Sequence, residues 1–191
     1  MNQQILNQII KDIQNIHQDK VVIAIDGRCA SGKTTLAQNL AEELDANVFH
    51  MDDYFLRVEQ RTKERFEEPG GNVDRERFYE EIGLKLHTNE DIIYSQFDCK
   101  TFTVSSSKTI KQKQYTIIEG SYSMHPDLRK LYDYLIYLTI EPEFQLQRIQ
   151  KRNPDKVNMF IERWIPFEEK YFQVNHLDTI CNILVKAEEM M

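Results

Sequence analysis

The segment GRCASGKTT, which begins at Gly27, contains a glycine, four further residues and then Gly-Lys-Thr. This spacing is typical of a phosphate-binding loop, in which backbone N–H groups point at one phosphate group. The apolar run VVIAID precedes the segment and a helical pattern begins at Lys33, so a helix N-terminus adds its partial positive charge. The sequence therefore predicts a nucleotide phosphate site formed by Gly27, Ala30, Ser31, Gly32, Lys33, Thr34 and Thr35.

Two positions have the chemistry of Mg²⁺ ligands. Thr34 follows the loop lysine, where a hydroxyl commonly coordinates Mg²⁺ while the lysine reaches the β- and γ-phosphates. Glu119 ends the apolar run YTIIE, so a buried strand would deliver a single carboxylate to the ligand side. The alternative for Glu119 is an acid at a strand end that pairs with a nearby base.

A second pair of carboxylates, Asp52 and Asp53, follows the strand-like run NVFHM. The carboxyl ends of strands face the ligand crevice in an open α/β sheet, so one of these groups could accept a proton from an acceptor hydroxyl. The alternative is two acids that open a loop. Tyr122, close after Glu119, is predicted either to form a substrate wall or to pack in the core.

Arg148 and Arg152 stand four residues apart in FQLQRIQKRN, so one helical face carries both guanidinium groups. If this helix leads into a lid, they would stabilise the charge on a transferring phosphoryl group. The alternative is a solvated basic face. Arg163, in the next helical segment, is a third candidate.

Strand and helix patterns alternate along the chain, which predicts an α/β fold with a parallel sheet and one domain over residues 1–191. The five candidate strands are VVIAI, NVFHM, YTIIEG, YLIYLTI and CNILVKA. An amphipathic helix is predicted within residues 1–18. Three further regions are assigned by composition: a charged loop at 55–73, a hairpin or flap at 91–114, both on the substrate side, and a lid region at 148–163.

Composition limits the classes of function. Hydrophobic residues make up 41% of the chain and charged residues 29%, as in ordinary globular proteins. The net charge of −7 argues against a general nucleic-acid binder, which needs a surplus of basic residues. No apolar run has the length of a membrane span, and three widely spaced cysteines suit reduced thiols, so we expect a cytoplasmic protein without a membrane partner.

The motifs GRCASGKTT, MDDYF, GGNVDRERF, IIEGSY and RIQKRN occur in this order and resemble those of the uridine kinase and phosphoribulokinase group of P-loop kinases. The resemblance covers residues 20–170. It implies a P-loop NTPase-type three-layer sandwich with a five-stranded parallel sheet, ATP as donor and Asp52 as the base, with Asp53 as second choice. It also implies substrate contacts in addition to Tyr122 and Arg163, at Asp53, Tyr54, Asp74, Phe97 and Asp98.

One departure from this group concerns the acceptor. Uridine kinases carry a histidine that reads the pyrimidine close after a Tyr-Asp-Phe element, whereas residues 97–103 here read FDCKTFT. A buried polar contact of this kind discriminates strongly between substrates. The expected function is therefore phosphoryl transfer from Mg-ATP to a small-molecule hydroxyl, foremost a pyrimidine nucleoside. The alternatives are another hydroxylated metabolite, such as a sugar phosphate or vitamin precursor, and a non-catalytic nucleotide-binding regulator. A homo-oligomer is compatible with the sequence.

Overall fold

The computed structural model describes residues 2–190, which contain nine β-strands. In chain order they are β1 Val21–Gly27, β2 Asn47–His50, β3 Ile92–Tyr94, β4 Phe97–Asp98, β5 Thr103–Val104, β6 Lys108–Ile110, β7 Tyr115–Glu119, β8 Tyr134–Thr139 and β9 Ile183–Lys186. Five of them form one parallel sheet in the order β2-β7-β1-β8-β9. The five predicted strands are thus confirmed as a single sheet.

The helices lie on both faces of this sheet or connect its strands. They are α1 Gln3–Gln14, α2 Lys33–Leu44, α3 Lys63–Glu67, α4 Arg75–Glu81, α5 Pro142–Arg152, α6 Val157–Met159, α7 Ile165–Asn175 and α8 Leu177–Ile180. Every residue of β1 is buried, because apolar side chains pack on it from both faces. The predicted three-layer α/β architecture is therefore confirmed.

The amphipathic N-terminal helix packs on one face of the sheet, as its pattern predicts. Leu6, Ile9 and Ile13 of α1 are buried in the same apolar cluster as side chains of α2 and β1. Spacing at three and four residues puts all three on one stripe of the helix. α1 therefore completes the core on the side of the sheet that α2 also covers.

The spacing of apolar residues predicts one helix over residues 74–87, and the structure forms a shorter one. α4 ends at Glu81, and residues Gly83–Lys85 form a single 3₁₀ turn. A Cβ atom at position 83 would lie 2.9 Å from the Tyr79 ring and 3.1 Å from Leu131, so glycine is needed for this close approach. Glycine also disfavours a continuing α-helix.

The flap at 91–114 forms a hairpin in two sections, as predicted. β3 pairs with β6 and β4 pairs with β5, each antiparallel, so the second section continues the first along the chain. The charged segment 55–73 contains one 3₁₀ turn and the short helix α3.

The sequence pattern predicts one helix over residues 156–173, and the structure forms α6 and α7 there, with one π-helical turn, Phe160–Trp164, between them. Pro166 lies in the first turn of α7 and has no N–H to donate to the preceding turn, which favours a local widening. The π turn lies inside the lid region. Within residues 2–190, no helix is both long and apolar enough to cross a membrane.

Candidate active site

Three neighbouring strands bring the predicted site residues to one edge of the sheet. β7 lies between β1 and β2, and Glu119 is in register with Ile25 on one side and His50 on the other. The chain enters the phosphate loop directly after β1 and reaches Asp52 directly after β2. Parallel strands end at the same edge, so the loop, Asp52 and Glu119 come together there.

The phosphate loop requires glycine at its first position. Gly27 has a φ of +143°, and a Cβ atom there would lie 2.0 Å from the carbonyl oxygen of Leu138. Gly32, at a φ of +102°, gives the chain its turn into α2. Lys33 lies across the loop, and its Nζ donates to the carbonyl oxygens of Gly27 at 2.8 Å and Arg28 at 2.9 Å.

Thr34 and Glu119 lie within hydrogen-bond distance of each other. The Thr34 hydroxyl donates to Glu119 Oε1 at 3.1 Å, and His50 Nδ1 lies 2.6 Å from the same oxygen. The hydrogen bond to Glu119 raises the pKa of His50. One hydroxyl and one carboxylate beside a phosphate loop are oxygen donors that fit Mg²⁺.

Asp52 and Asp53 point to different surroundings because Met51–Tyr54 form a 3₁₀ turn, in which successive side chains diverge. Asp52 lines the pocket next to the phosphate loop. Desolvation raises the pKa of Asp52, an effect that Lys33 opposes and Glu119 reinforces. Asp53 instead accepts a hydrogen bond from Gln96 at 2.9 Å and is not among the pocket-lining residues.

The pocket has a volume of about 810 Å³, enough for a nucleotide and a small second ligand. Its wall contains residues of the phosphate loop, the post-β2 turn, the segment 55–73, the flap and the lid region. Those that the sequence singles out are Ala30, Gly32, Lys33, Thr34, Thr35, Asp52, Glu119, Tyr122, Arg148, Arg152 and Arg163.

The three candidate arginines all line this pocket but in different ways. Arg148 Nη1 donates to the carbonyl oxygen of Ala30 at 3.1 Å, so it contacts the phosphate loop directly. Arg152 lies on the same face of α5, one turn further along. The Arg163 guanidinium lies 5.0 Å from the Trp164 ring and 5.3 Å from the Phe66 ring.

Two of the predicted loop residues, Gly27 and Ser31, do not line the pocket. Besides Asp53, four predicted substrate contacts also do not line it, and each has a structural contact. The Tyr54 hydroxyl donates to Glu81 at 2.9 Å. The Asp74 side chain caps α4 by accepting from Arg77 N, and it is 1% exposed. Phe97 packs its ring against Phe102, and Asp98 accepts from Lys100 N inside the hairpin turn.

Tyr122 lines the pocket in a conformation that is unusual for a bulky residue. Its φ is +75°, in the left-handed region, and its hydroxyl is buried without a hydrogen-bond partner among the described residues. Asn72 Nδ2, on the same wall, is likewise buried and without a partner. Both polar atoms are therefore enclosed within the wall of the pocket, where the Asn72 side chain lowers the pKa of Tyr122 against the larger effect of desolvation, which raises it.

Sequence reasoning missed several residues at this site. Glu168 is 5% exposed and lines the pocket, where it accepts from Cys29 N at 2.9 Å and from the Ser121 hydroxyl at 2.7 Å. A histidine within a strand-like run is expected in the core, but this is wrong for His50, because 40% of its side chain is exposed beside Glu119. The local sequence does not distinguish an acid that faces the pocket from any other acid in a helix. It also does not distinguish an exposed histidine at a strand end from a buried one.

The buried carboxylate of Asp26 connects three of the segments that form the site. Asp26 is fully buried, and it accepts hydrogen bonds from Gly27 N, Tyr122 N, Met124 N and the Tyr171 hydroxyl. Burial raises the pKa of Asp26 to about 6, despite these donors. The group joins the phosphate loop, the turn after β7 and α7.

A parallel sheet with a phosphate loop between β1 and α2 and an acid at the end of the adjacent strand defines a P-loop NTPase fold. The family model described as Deoxynucleoside kinase matches residues 23–191, and the chain belongs to this family of P-loop kinases. The resemblance to the uridine kinase and phosphoribulokinase group is thereby confirmed at the level of fold and family.

Three relatives illustrate the range. Uridine kinase-like protein 4 of Arabidopsis thaliana is 26% identical over 149 residues, which are 73% of this chain but only 31% of the plant protein. Dephospho-CoA kinase of Bacillus cereus is 26% identical over 184 residues, covering 85% of this chain and 88% of that one. The solved structure titled a possible uridine kinase, from Bacillus stearothermophilus, superposes with a TM-score of 0.73 at 25% identity, covering 94% and 96% of the two chains. The chain is therefore similar to small-molecule kinases with different acceptors.

Proposed function

We propose that the protein transfers the γ-phosphoryl group of Mg-ATP to a hydroxyl group of a small molecule. The observation that carries this proposal is the presence of Lys33, Thr34, Asp52 and Glu119 on one pocket wall. A regulator that only binds nucleotide needs the phosphate loop but has no use for an acid beside it. We also propose that the reaction takes place in the cytoplasm, where ATP is abundant.

Each residue has a chemical role in this proposal. The loop N–H groups and Lys33 hold the β- and γ-phosphates. Thr34 and Glu119 would hold Mg²⁺, which when bound neutralises charge on the phosphate oxygens. Asp52 accepts the proton of the acceptor hydroxyl. Its raised pKa makes the carboxylate a stronger base, but it also means that a higher pH is needed to keep Asp52 ionised.

The arginines of the lid region would stabilise the negative charge on the transferring group. Arg152 has no carboxylate within 4 Å among residues 2–190, so its guanidinium is available to a ligand. Arg148 supports the phosphate loop through Ala30 and lies on the same pocket wall. Positioning and electrostatic stabilisation supply most of the catalysis in phosphoryl transfer.

Two classes of acceptor are supported by different observations. The uridine kinase-like relatives support a pyrimidine nucleoside, for which Tyr122 and Asn72 would form part of the pocket wall. A second class, another hydroxylated metabolite such as a sugar phosphate or a vitamin precursor, is supported by the flap. Its residues 97–103 contain no histidine, and Phe97 and Asp98 have structural contacts instead.

The test is a turnover assay with purified full-length protein. ADP release from Mg-ATP is followed with uridine, cytidine, ribulose 5-phosphate, pantothenate and dephospho-CoA as acceptors. Acceptor-dependent release that disappears in Asp52→Asn supports the kinase, and the matched control Asp19→Asn, on the exposed segment after α1, should retain it. Tight ATP binding without release for any acceptor would favour the regulator.

A further inference from the structure

The pocket contains more positive charge than its nucleotide site needs. Six cationic side chains line it against three carboxylates, in a chain whose net charge is −7. Lys33 and Arg148 contact the phosphate loop, and Arg152 follows Arg148 on α5. Arg61, Lys156 and Arg163 come from other elements, and none of the three has a carboxylate within 4 Å among residues 2–190.

Arg61 is held in position without an ion pair. Its Nε donates to the carbonyl oxygen of Leu56 at 3.0 Å, and its Cζ lies 4.7 Å from the centre of the Phe102 ring. Phe102 itself has a φ of +58°, an unusual conformation for an aromatic residue, at the turn of the flap. These contacts fix the guanidinium plane, and both terminal nitrogens have no hydrogen-bond partner within the described residues 2–190. Arginine binds a planar or tetrahedral oxyanion through such nitrogens.

Arg61 lies beside the flap, which contacts the turn that carries the proposed base. Its Cζ lies 6.0 Å from the centre of the Phe97 ring, and the adjacent Gln96 donates to Asp53, the neighbour of Asp52. Cys99 is exposed at the turn of the flap and lines the same pocket as Asp52, Arg61 and Lys156. Desolvation is the largest influence on the pKa of the Cys99 thiol and raises it, the charge of Asp52 also raises it, and the charges of Arg61 and Lys156 lower it.

We infer that the acceptor carries a phosphate monoester group, which Arg61 and Lys156 bind while its hydroxyl lies at Asp52. This inference rests on the proposed kinase function and narrows its acceptor to a phosphorylated metabolite. Arg61 is half-buried and Lys156 is exposed, and a neutral nucleoside would bring no negative charge to either of them. A phosphate group supplies both the charge and the oxygen acceptors that these side chains lack.

Cys99 makes a probe of this site that does not depend on turnover. Iodoacetate is an anion and iodoacetamide is neutral, but both alkylate the thiolate. The ratio of the iodoacetate rate to the iodoacetamide rate therefore does not depend on the thiol pKa, and it rises where the local electrostatic potential is positive. The rates are measured per cysteine by peptide mass spectrometry in the full chain, with Mg-AMP-PNP present to fill the nucleotide site. We expect the ratio at Cys99 to fall about threefold or more in Arg61→Gln and in Lys156→Gln.

A matched control removes the same charge elsewhere. Lys11→Gln lies on α1, which does not line the pocket, and it should leave the ratio at Cys99 unchanged. Inorganic phosphate should slow the iodoacetamide reaction at Cys99 in the natural chain but not in Arg61→Gln. An equal effect of acetate would show that a carboxylate serves as well, and would overturn the phosphate assignment.

Two further results would overturn the inference. One is a Cys99 ratio that Arg61→Gln does not change, and the other is efficient turnover of uridine that Arg61→Gln does not alter. Failure of the kinase proposal would give a different result from failure of this inference. Turnover would then be absent with every acceptor, while phosphate would still protect Cys99 from alkylation. In the positive case, Arg61→Gln should raise KM for a phosphorylated acceptor at least tenfold and leave KM for ATP unchanged.

Discussion

Arg28 and Glu169 form a two-point ion pair that joins the phosphate loop to α7. Arg28 Nε lies 2.5 Å from Glu169 Oε1 and Arg28 Nη2 lies 2.8 Å from Oε2. The adjacent Glu168 accepts the N–H of Cys29, the next loop residue. Since α7 continues from the lid region, the position of the loop is tied to the position of that region.

This pairing predicts an effect on nucleotide binding. Glu169→Gln removes the charge of the pair but keeps an oxygen acceptor, so the loop should be held less firmly. We expect KM for ATP to rise about threefold to tenfold, with a smaller change in kcat, because the charge-assisted bond contributes roughly 1.5–3 kcal/mol. Glu162→Gln, an exposed acid of the π turn, is the control in the steady-state assay. An equal rise in both variants would contradict a specific role for the pair.

Lys33 should be the side chain to which phosphoryl transfer is most sensitive. Lys33→Ala removes the one charged group that spans the loop, so turnover should fall on the order of 10²- to 10³-fold, as for loss of one preorganised donor. The fall is measured as kcat in the presence of saturating Mg-ATP. Lys11→Ala serves as the control. Near-normal turnover in Lys33→Ala would reject the phosphate-loop assignment.

The raised pKa of Asp52 predicts how activity depends on pH. As a base, Asp52 works only when ionised, so kcat/KM should fall as the pH drops through its pKa in the free enzyme. Because desolvation raises that pKa, the fall should begin above the range of an ordinary aspartate, whose pKa is 3.8. A profile of log kcat/KM against pH measures it. In Asp52→Asn the residual activity should lose this acidic limb, and an unchanged limb would assign it to another group.

Asp26 predicts a pH dependence of stability with the opposite sign to that of a paired surface acid. Its pKa of about 6 in the folded state exceeds the value of about 3.8 for an unperturbed aspartate, so the folded chain holds the proton more tightly. Its contribution to the free energy of unfolding is therefore greatest below pH 4 and declines as the pH rises to about 6, by roughly 3 kcal/mol.

Urea unfolding at several pH values measures this decline. Asp26→Asn cannot ionise, so the difference between the natural chain and the variant should decrease over the same range. The slopes are compared rather than the absolute values, because the NH2 group that replaces one carboxylate oxygen cannot accept the backbone N–H groups that surround it. Parallel pH profiles for the two proteins would show that Asp26 does not titrate in this range.

Much of the fold follows from local signals in the sequence. The apolar run of β1, the loop glycines and the stripe of α1 each depend on neighbours within a few residues, so they could be predicted directly. Which of Asp52 and Asp53 faces the pocket could not be predicted, because a 3₁₀ turn rather than a continuing strand follows β2. Asp74 serves as a helix cap, which short motifs do not distinguish from a ligand contact.

Contacts between distant parts of the chain account for the remainder. Glu168 and Cys29 are separated by 139 positions, and His50 and Glu119 by 69. No periodicity links such pairs, and only the order of the strands makes them neighbours. The sequence therefore indicates which reactive side chains are available, while the order of strands in the sheet determines which of them come together in one site.

The strand order also has a consequence for how the chain folds. The central pairings join β1 to β7 and β2 to β7, although β7 follows each of them by many residues, so the pairs require large loops to close. The phosphate loop and its acids consequently meet only late in folding, when the sheet is complete. A nucleotide that binds this assembled edge would raise the free energy of unfolding of the whole domain by RT ln(1 + [L]/Kd), where [L] is the concentration of free nucleotide.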